Sequence, residues 1–160
     1  MAMPPGPADE RHLLTAIALA RRAREKGNHP FGSLLVNAEG NKVIEAENTV
    51  ETGRDITGHA ELNLVRAAAQ RFDSPFLGGC TLYTSTEPCA MCAGAIYWSG
   101  IGRVVYALAS EALQAIVDDE EGSSTLALSC REVFARGGRR VEVSGPALED
   151  EAAAVHQGFW

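Results

Sequence analysis

Apolar residues recur at helical spacing from residue 9 to about residue 26, where Leu13, Leu14, Ile17, Ala18 and Ala20 form a stripe that Gly27 and Asn28 bring to an end. Two short strands follow at 33–37 and 42–46, joined by the turn-forming run Ala38-Glu39-Gly40-Asn41. A second helix is predicted over 59–71, with Leu62, Leu64, Val65 and Ala68 toward the core. The remaining pattern predicts a strand at 80–84, a helix at 89–98 and a strand at 103–107. Short helices at 111–117 and 129–135, a strand at 140–143 and a last helix from about residue 147 complete it. No internal repeat is present. Helices interleaved with strands imply a three-layer α/β/α sandwich with helices on both sheet faces. A chain of 160 residues holds one such core but not two. Residues 1–8, rich in proline and without periodicity, read as a disordered lead-in to a single domain over 9–160.

Charge narrows the partners. Fourteen basic against 21 acidic residues leave a net charge of −7, whereas binding to a long nucleic acid draws most of its affinity from neutralised phosphates. The basic residues gather in two runs, 21–26 and 136–140, and both read as solvated surfaces before they read as phosphate contacts. Nucleic acid is therefore not the expected partner, and a small molecule is. The start lacks the basic and apolar regions of a signal peptide, and no run approaches about 18 apolar residues. A cytoplasmic protein with no membrane partner is expected. Without export, four cysteines are poor grounds for disulfides. Cys80 and Cys130 sit in apolar surroundings as small buried hydrophobes, while Cys89 and Cys92 stand three residues apart.

That pair carries chemistry. Pro88 suits the first turn of a helix, which would project Cys89 and Cys92 from one face near the helix N-terminus. The dipole there favours thiolate, the form that binds metal. A third ligand must come from elsewhere, and His59, at the start of another helix directly after a glycine, is the best placed. Three protein ligands leave the fourth zinc position open, the mark of a catalytic site. Zinc would lower the pKa of water there. Glu61, two residues from His59, is placed to move protons as general base and then general acid. The joint pattern His59-Ala60-Glu61 followed by Pro88-Cys89-Ala90-Met91-Cys92 matches the H-x-E and P-C-x-x-C signature of zinc nucleobase deaminases.

On these residues the chain resembles the cytidine-deaminase superfamily, in its branch of guanine deaminases, tRNA adenosine deaminases and fungal-type cytosine deaminases. The resemblance spans about residues 13–107, including Pro30-Phe31-Gly32, the strand pair, Asn48 and the stretch LYTSTEPCAMCAGAIYWSG. It implies a five-stranded mixed sheet, a homodimer, one Zn2+ per subunit on His59, Cys89 and Cys92, and catalysis by Glu61. It also implies that Asn48, 11 residues before His59, hydrogen-bonds the base; the alternative is a turn residue at a strand end. Phe31, Ala60, Asp118, Asp119 and Trp160 are implied substrate contacts, with the C-terminal aromatics closing the pocket.

Within the branch, Pro30-Phe31-Gly32 and Gly94-Ala95-Ile96-Tyr97-Trp98 resemble guanine deaminases more closely than tRNA deaminases. The expected substrate is thus guanine or a related aminopurine. Ile116 and Val117 depart from the glycine and phenylalanine that usually precede the paired aspartates, and Gly58 replaces the usual alanine. The alternatives are a tRNA adenosine deaminase, a cytosine deaminase and, remotely, a non-catalytic zinc module. The first expects a basic C-terminal helix, yet residues 146–160 hold no Lys or Arg. The last would have no use for Glu61.

Overall fold

The structure, a computed structural model, describes residues 4–117 and 126–160. The elements run α1 (Pro7–Glu25), β1 (Gly32–Val36), β2 (Lys42–Glu47), α2 (Val50–Gly53), α3 (Ala60–Arg71), α4 (Ser74–Gly78) and β3 (Thr81–Thr86). They continue through α5 (Ala90–Ser99), β4 (Arg103–Leu108), α6 (Ser110–Val117), α7 (Cys130–Ala135), β5 (Glu142–Ser144) and α8 (Glu149–Ala154). The strands form one sheet in the order β2-β1-β3-β4-β5, with β1 antiparallel to β2 and β3 and the last two pairings parallel. This is the five-stranded mixed sheet that the resemblance implies.

Two apolar layers cover the sheet. On one face Leu13, Ile17, Leu19 and Ala20 of α1 pack with Leu34, Val36, Tyr83, Val105 and Ala107, and Ala152 of α8 joins them. On the other, Leu64, Val65 and Ala68 of α3, Ile96 of α5 and Phe134 of α7 pack with Leu35, Leu82, Val104 and Val143. Successive strand residues point to opposite faces, and β1 and β3 are covered on both sides, so nearly every residue of both registers is buried. That makes the polar residues buried within them, Ser33, Thr84, Ser85 and Thr86, conspicuous.

Several expectations shift. α1 starts at Pro7, two residues before the predicted helix, with the Asp9 carboxylate accepting from the Gly6 N–H at the helix start. Leu14 and Ala18 point outward, Leu14 being 49% exposed, while Ala16, Leu19 and Ala23 are buried. The stripe is set by which residues meet the sheet, which local periodicity approximates. α2 and α4 were not anticipated, because four or five residues are too few to show a helical period. Gly32 lies against α1 so closely that a Cβ there would fall 2.5 Å from Ala16 O and Ala20 N. Glycine at that position lets β1 and α1 dock. No helix among the described residues is long and apolar enough to cross a membrane.

Candidate metal and catalytic centre

α3 and α5 both begin at the centre, and each is capped by one of the predicted ligands. His59 is the N-cap of α3 (φ −69°, ψ 149°) and Cys89 the N-cap of α5 (φ −68°, ψ 170°), so Pro88 stands just outside the helix and not in its first turn. An N-cap side chain turns toward the N–H groups of the second and third helical residues. Cys92 is that third residue, which brings the two sulfurs together. Two helix N-termini thus point positive ends at one spot, favouring thiolate.

His59 Nδ1 lies 3.6 Å from Cys89 Sγ and 3.5 Å from Cys92 Sγ. Among the described residues these three form the group whose ligand atoms could jointly hold a metal ion. A tetrahedral ion bonded at about 2.3 Å to sulfur and about 2.0–2.1 Å to nitrogen sets S···N separations of about 3.6 Å. The donor set therefore fits zinc in both chemistry and spacing. The Cys92 thiol donates toward Cys89 and, with His59 adding to the effect against burial, brings Cys89 down to about 4. Cys92 itself is pushed up, first by that hydrogen bond and then by burial. The hydrogen bond to Cys89 raises His59. A zinc ion would need both sulfurs as thiolate, so its binding would release protons.

Glu61, the second residue of α3, is 5% exposed. Its Oε1 accepts from Thr84 Oγ1 at 2.5 Å and from Ser33 Oγ at 3.5 Å, and Ser33 also lies 3.1 Å from Thr84 Oγ1. Ser33 and Thr84 are direct partners across the β1–β3 pairing. Burial pushes the Glu61 carboxyl up, and the Thr84 bond opposes that shift. These two hydroxyls are site residues that the motif did not disclose. Ser33 shows in the sequence as one polar side chain in an otherwise apolar strand, whereas Thr84 sits unmarked in the Ser/Thr-rich run of β3. Glu87, inside the signature, accepts from the N–H groups of Ser110 and Cys130. It thereby ties the starts of α6 and α7 to the β3–α5 turn.

Asn48 is buried, donates its N–H to Phe31 O at 3.1 Å, and its Oδ1 accepts from Val50 N at 3.0 Å. The turn bond that the sequence offers as its alternative role is thus present, and it fixes the amide while seating Asn48 beside Phe31. Ala60 opens α3 and is fully buried. Gly58 O accepts from Thr49 N at 2.8 Å, and a Cβ on Gly58 would lie 2.8 Å from Thr49 Oγ1. Glycine is the residue that this close packing requires. Phe31 faces His156 (centroids 5.3 Å apart) and Trp160 (6.3 Å), so Trp160 reaches the residue just before β1, the strand that carries Ser33. Asp118 and Asp119 lie outside the described residues.

Members of both basic runs make contacts within the chain. Arg22 and Lys26 pair with Glu47, and Arg24 donates to Val155 O and Gln157 O. Arg139 donates to the carbonyls of Ile96, Tyr97 and Ile101, capping the end of α5.

The family model of the cytidine and deoxycytidylate deaminase zinc-binding region matches residues 7–108. The chain is 42% identical over 153 residues to a Schizosaccharomyces pombe protein described as a probable cytosine deaminase, covering 95% of this chain and 92% of that one. It is 32% identical over 152 residues to the tRNA-specific adenosine deaminase of Bacillus subtilis, covering 95% and 88%. The solved guanine deaminase of Nitrosomonas europaea superimposes with a TM-score of 0.74 at 26% identity, over 98% of this chain and 85% of that one.

Proposed function

The chain belongs to the zinc-binding cytidine and deoxycytidylate deaminase family of hydrolytic deaminases, and on that footing we propose that it deaminates guanine or a related aminopurine, as free base or nucleoside, releasing ammonia. The observation that carries this reading is the C-terminal aromatic segment folded against Phe31, beside Asn48. An aromatic cover encloses a small planar base, whereas an anticodon loop needs open access and free cations. The likeness to the Nitrosomonas europaea guanine deaminase and the Pro30-Phe31-Gly32 segment support the purine.

His59, Cys89 and Cys92 would hold the zinc, which when bound supplies the Lewis acidity that makes water a competent nucleophile near neutral pH. Glu61 is the catalytic acid–base: it carries the first proton of the attacking water to the ring nitrogen, then takes the second from the new hydroxyl and gives it to the departing amine. Water's oxygen replaces nitrogen on the ring carbon, and ammonia leaves. Thr84 and Ser33 hold Oε1, so Oε2 exchanges the proton. Asn48, its Oδ1 tied to Val50, offers its NH2 group to the base. Phe31, Ala60 and Trp160 enclose the ring, and Asp118 or Asp119 receives its second polar edge.

Cytosine is the second reading, favoured by the 42% identity to the Schizosaccharomyces pombe relative across almost the whole of both chains. Ammonia release from guanine, guanosine, cytosine, adenine and amino-triazines separates the two. The expected result is a kcat/KM for guanine at least tenfold above every other compound, and preference for cytosine installs the second reading. Activity should change less than about twofold between 50 and 200 mM salt. A substrate bound through several phosphates loses orders of magnitude in affinity over that range.

A homodimer is part of the same proposal. Trp98, at the end of α5, is 84% exposed, and Ile56 is 83% exposed, large apolar surfaces of the kind that a second copy covers. Sedimentation should give twice the mass of one chain, and a monomer at micromolar concentration would sink this part of the reading.

A further inference from the structure

We propose that Arg24 is a positioning residue that latches the C-terminal aromatic segment onto α1 of its own subunit, so that each chain closes its own pocket. The inference rests on the reading that Phe159 and Trp160 cover the substrate. Three contacts carry it, and all of them lie within one chain.

The first is a pair of charge-assisted hydrogen bonds. Arg24 Nη1 donates to Val155 O at 2.8 Å and to Gln157 O at 2.7 Å. Val155 caps the C-terminal end of α8, where carbonyls lack helical partners and a cation is favoured. The same guanidinium lies 5.6 Å from the centroid of the Phe159 ring, within cation–π range. One arginine on α1 thus grips both the main chain and an aromatic of a segment more than 130 residues away.

The second is the turn that aims the aromatics back. Gly158 has φ +71°, a conformation that side chains rarely adopt, and Phe159 N donates to His156 O at 3.1 Å. The last two residues therefore fold back over His156, toward Arg24, His29 and Phe31 of the same chain.

The third is the post on which Trp160 hangs. His156 is 1% exposed, and its Nδ1 accepts from Trp160 Nε1 at 3.1 Å. The indole N–H can only donate, so the imidazole is neutral with its proton on Nε2. Burial, with Arg24 adding, lowers His156 to about 4 and keeps it so. Phe31 and Trp160 flank this histidine, and His29 stands against Phe159 and Trp160 at 5.8 and 5.4 Å. Trp160 itself remains 47% exposed. A half-exposed indole held by polar contacts is built as a cover and not as core.

The test uses the full-length zinc protein with Trp98→Phe, which leaves Trp160 as its single tryptophan. Adding Arg24→Gln should shift Trp160 emission to the red and raise its acrylamide quenching at least twofold. KM should rise about tenfold, kcat should change less than threefold, and zinc should stay at one per chain. Arg24→Lys, which keeps the charge but loses the planar fork, should restore part of the KM and the quenching. Unchanged quenching in Arg24→Gln overturns the latch. Increased quenching with unchanged KM supports the latch but overturns the reading that the segment covers substrate.

Subunit mixing tests the same-chain closure. Glu61→Gln chains, with an intact cover, are refolded together with chains lacking residues 158–160, which retain Glu61. Closure within one chain predicts no activity beyond the sum of the two preparations. Recovery of a quarter or more of native activity means that the cover crosses between subunits, and overturns the proposal.

Discussion

Glu61→Gln should give a folded protein with one zinc per chain and a turnover lowered by about three orders of magnitude, within the range that positioned proton transfer contributes. Glutamine matches glutamate in shape and can still accept from Thr84 and Ser33, so α3 and its N-cap His59 keep their places. It cannot take a proton from water and return it to the leaving amine. The metal ligands are separate side chains, which is why metal content and turnover should part company. Metal analysis and ammonia release on one sample check this. Zinc loss would make Glu61 a ligand, and near-native turnover would place the proton shuttle elsewhere. Thr84→Val extends the argument. It removes the donor at 2.5 Å from Oε1, and should lower turnover less than Glu61→Gln while leaving zinc in place.

Cys92→Ala should abolish turnover and stoichiometric zinc together, and Cys89→Ala should do the same. Cys92 is fully buried at the third position of α5, with its sulfur 3.5 Å from His59 Nδ1. Two remaining ligands do not make a stable zinc site. A ligand present at a thousandfold excess over its Kd stabilises the fold by about 4 kcal/mol. For a domain of this size each kcal/mol shifts Tm by about 2–4 °C, so the expected fall is roughly 10 °C. The control is the native chain with a chelator, whose Tm should drop to nearly the value of the variant. A zinc content of one per chain in either variant would dismiss the three-ligand site.

Much of the centre was legible in the sequence because its information is local. The three-residue spacing of Cys89 and Cys92, and the two-residue spacing of His59 and Glu61, each lie within one helix start, where geometry follows from spacing alone. The strands and the longer helices were legible for the same reason, since a period of 2 or 3.6 can be read from any run of enough residues. Even there the mechanism needed the structure: Cys89 meets Cys92 as an N-cap facing the third residue of its helix, and not as a second helical residue on a common face. What the tertiary structure alone decided lies in contacts between distant segments. Ser33 and Thr84 reach Glu61 because β1 pairs with β3 in one register, and a slip of either strand by one residue would turn its hydroxyl to the α1 face. Arg24 meets Val155 because α8 returns to the α1 side of the sheet. No local pattern encodes such a meeting, because it depends on which faces the whole chain must bury together.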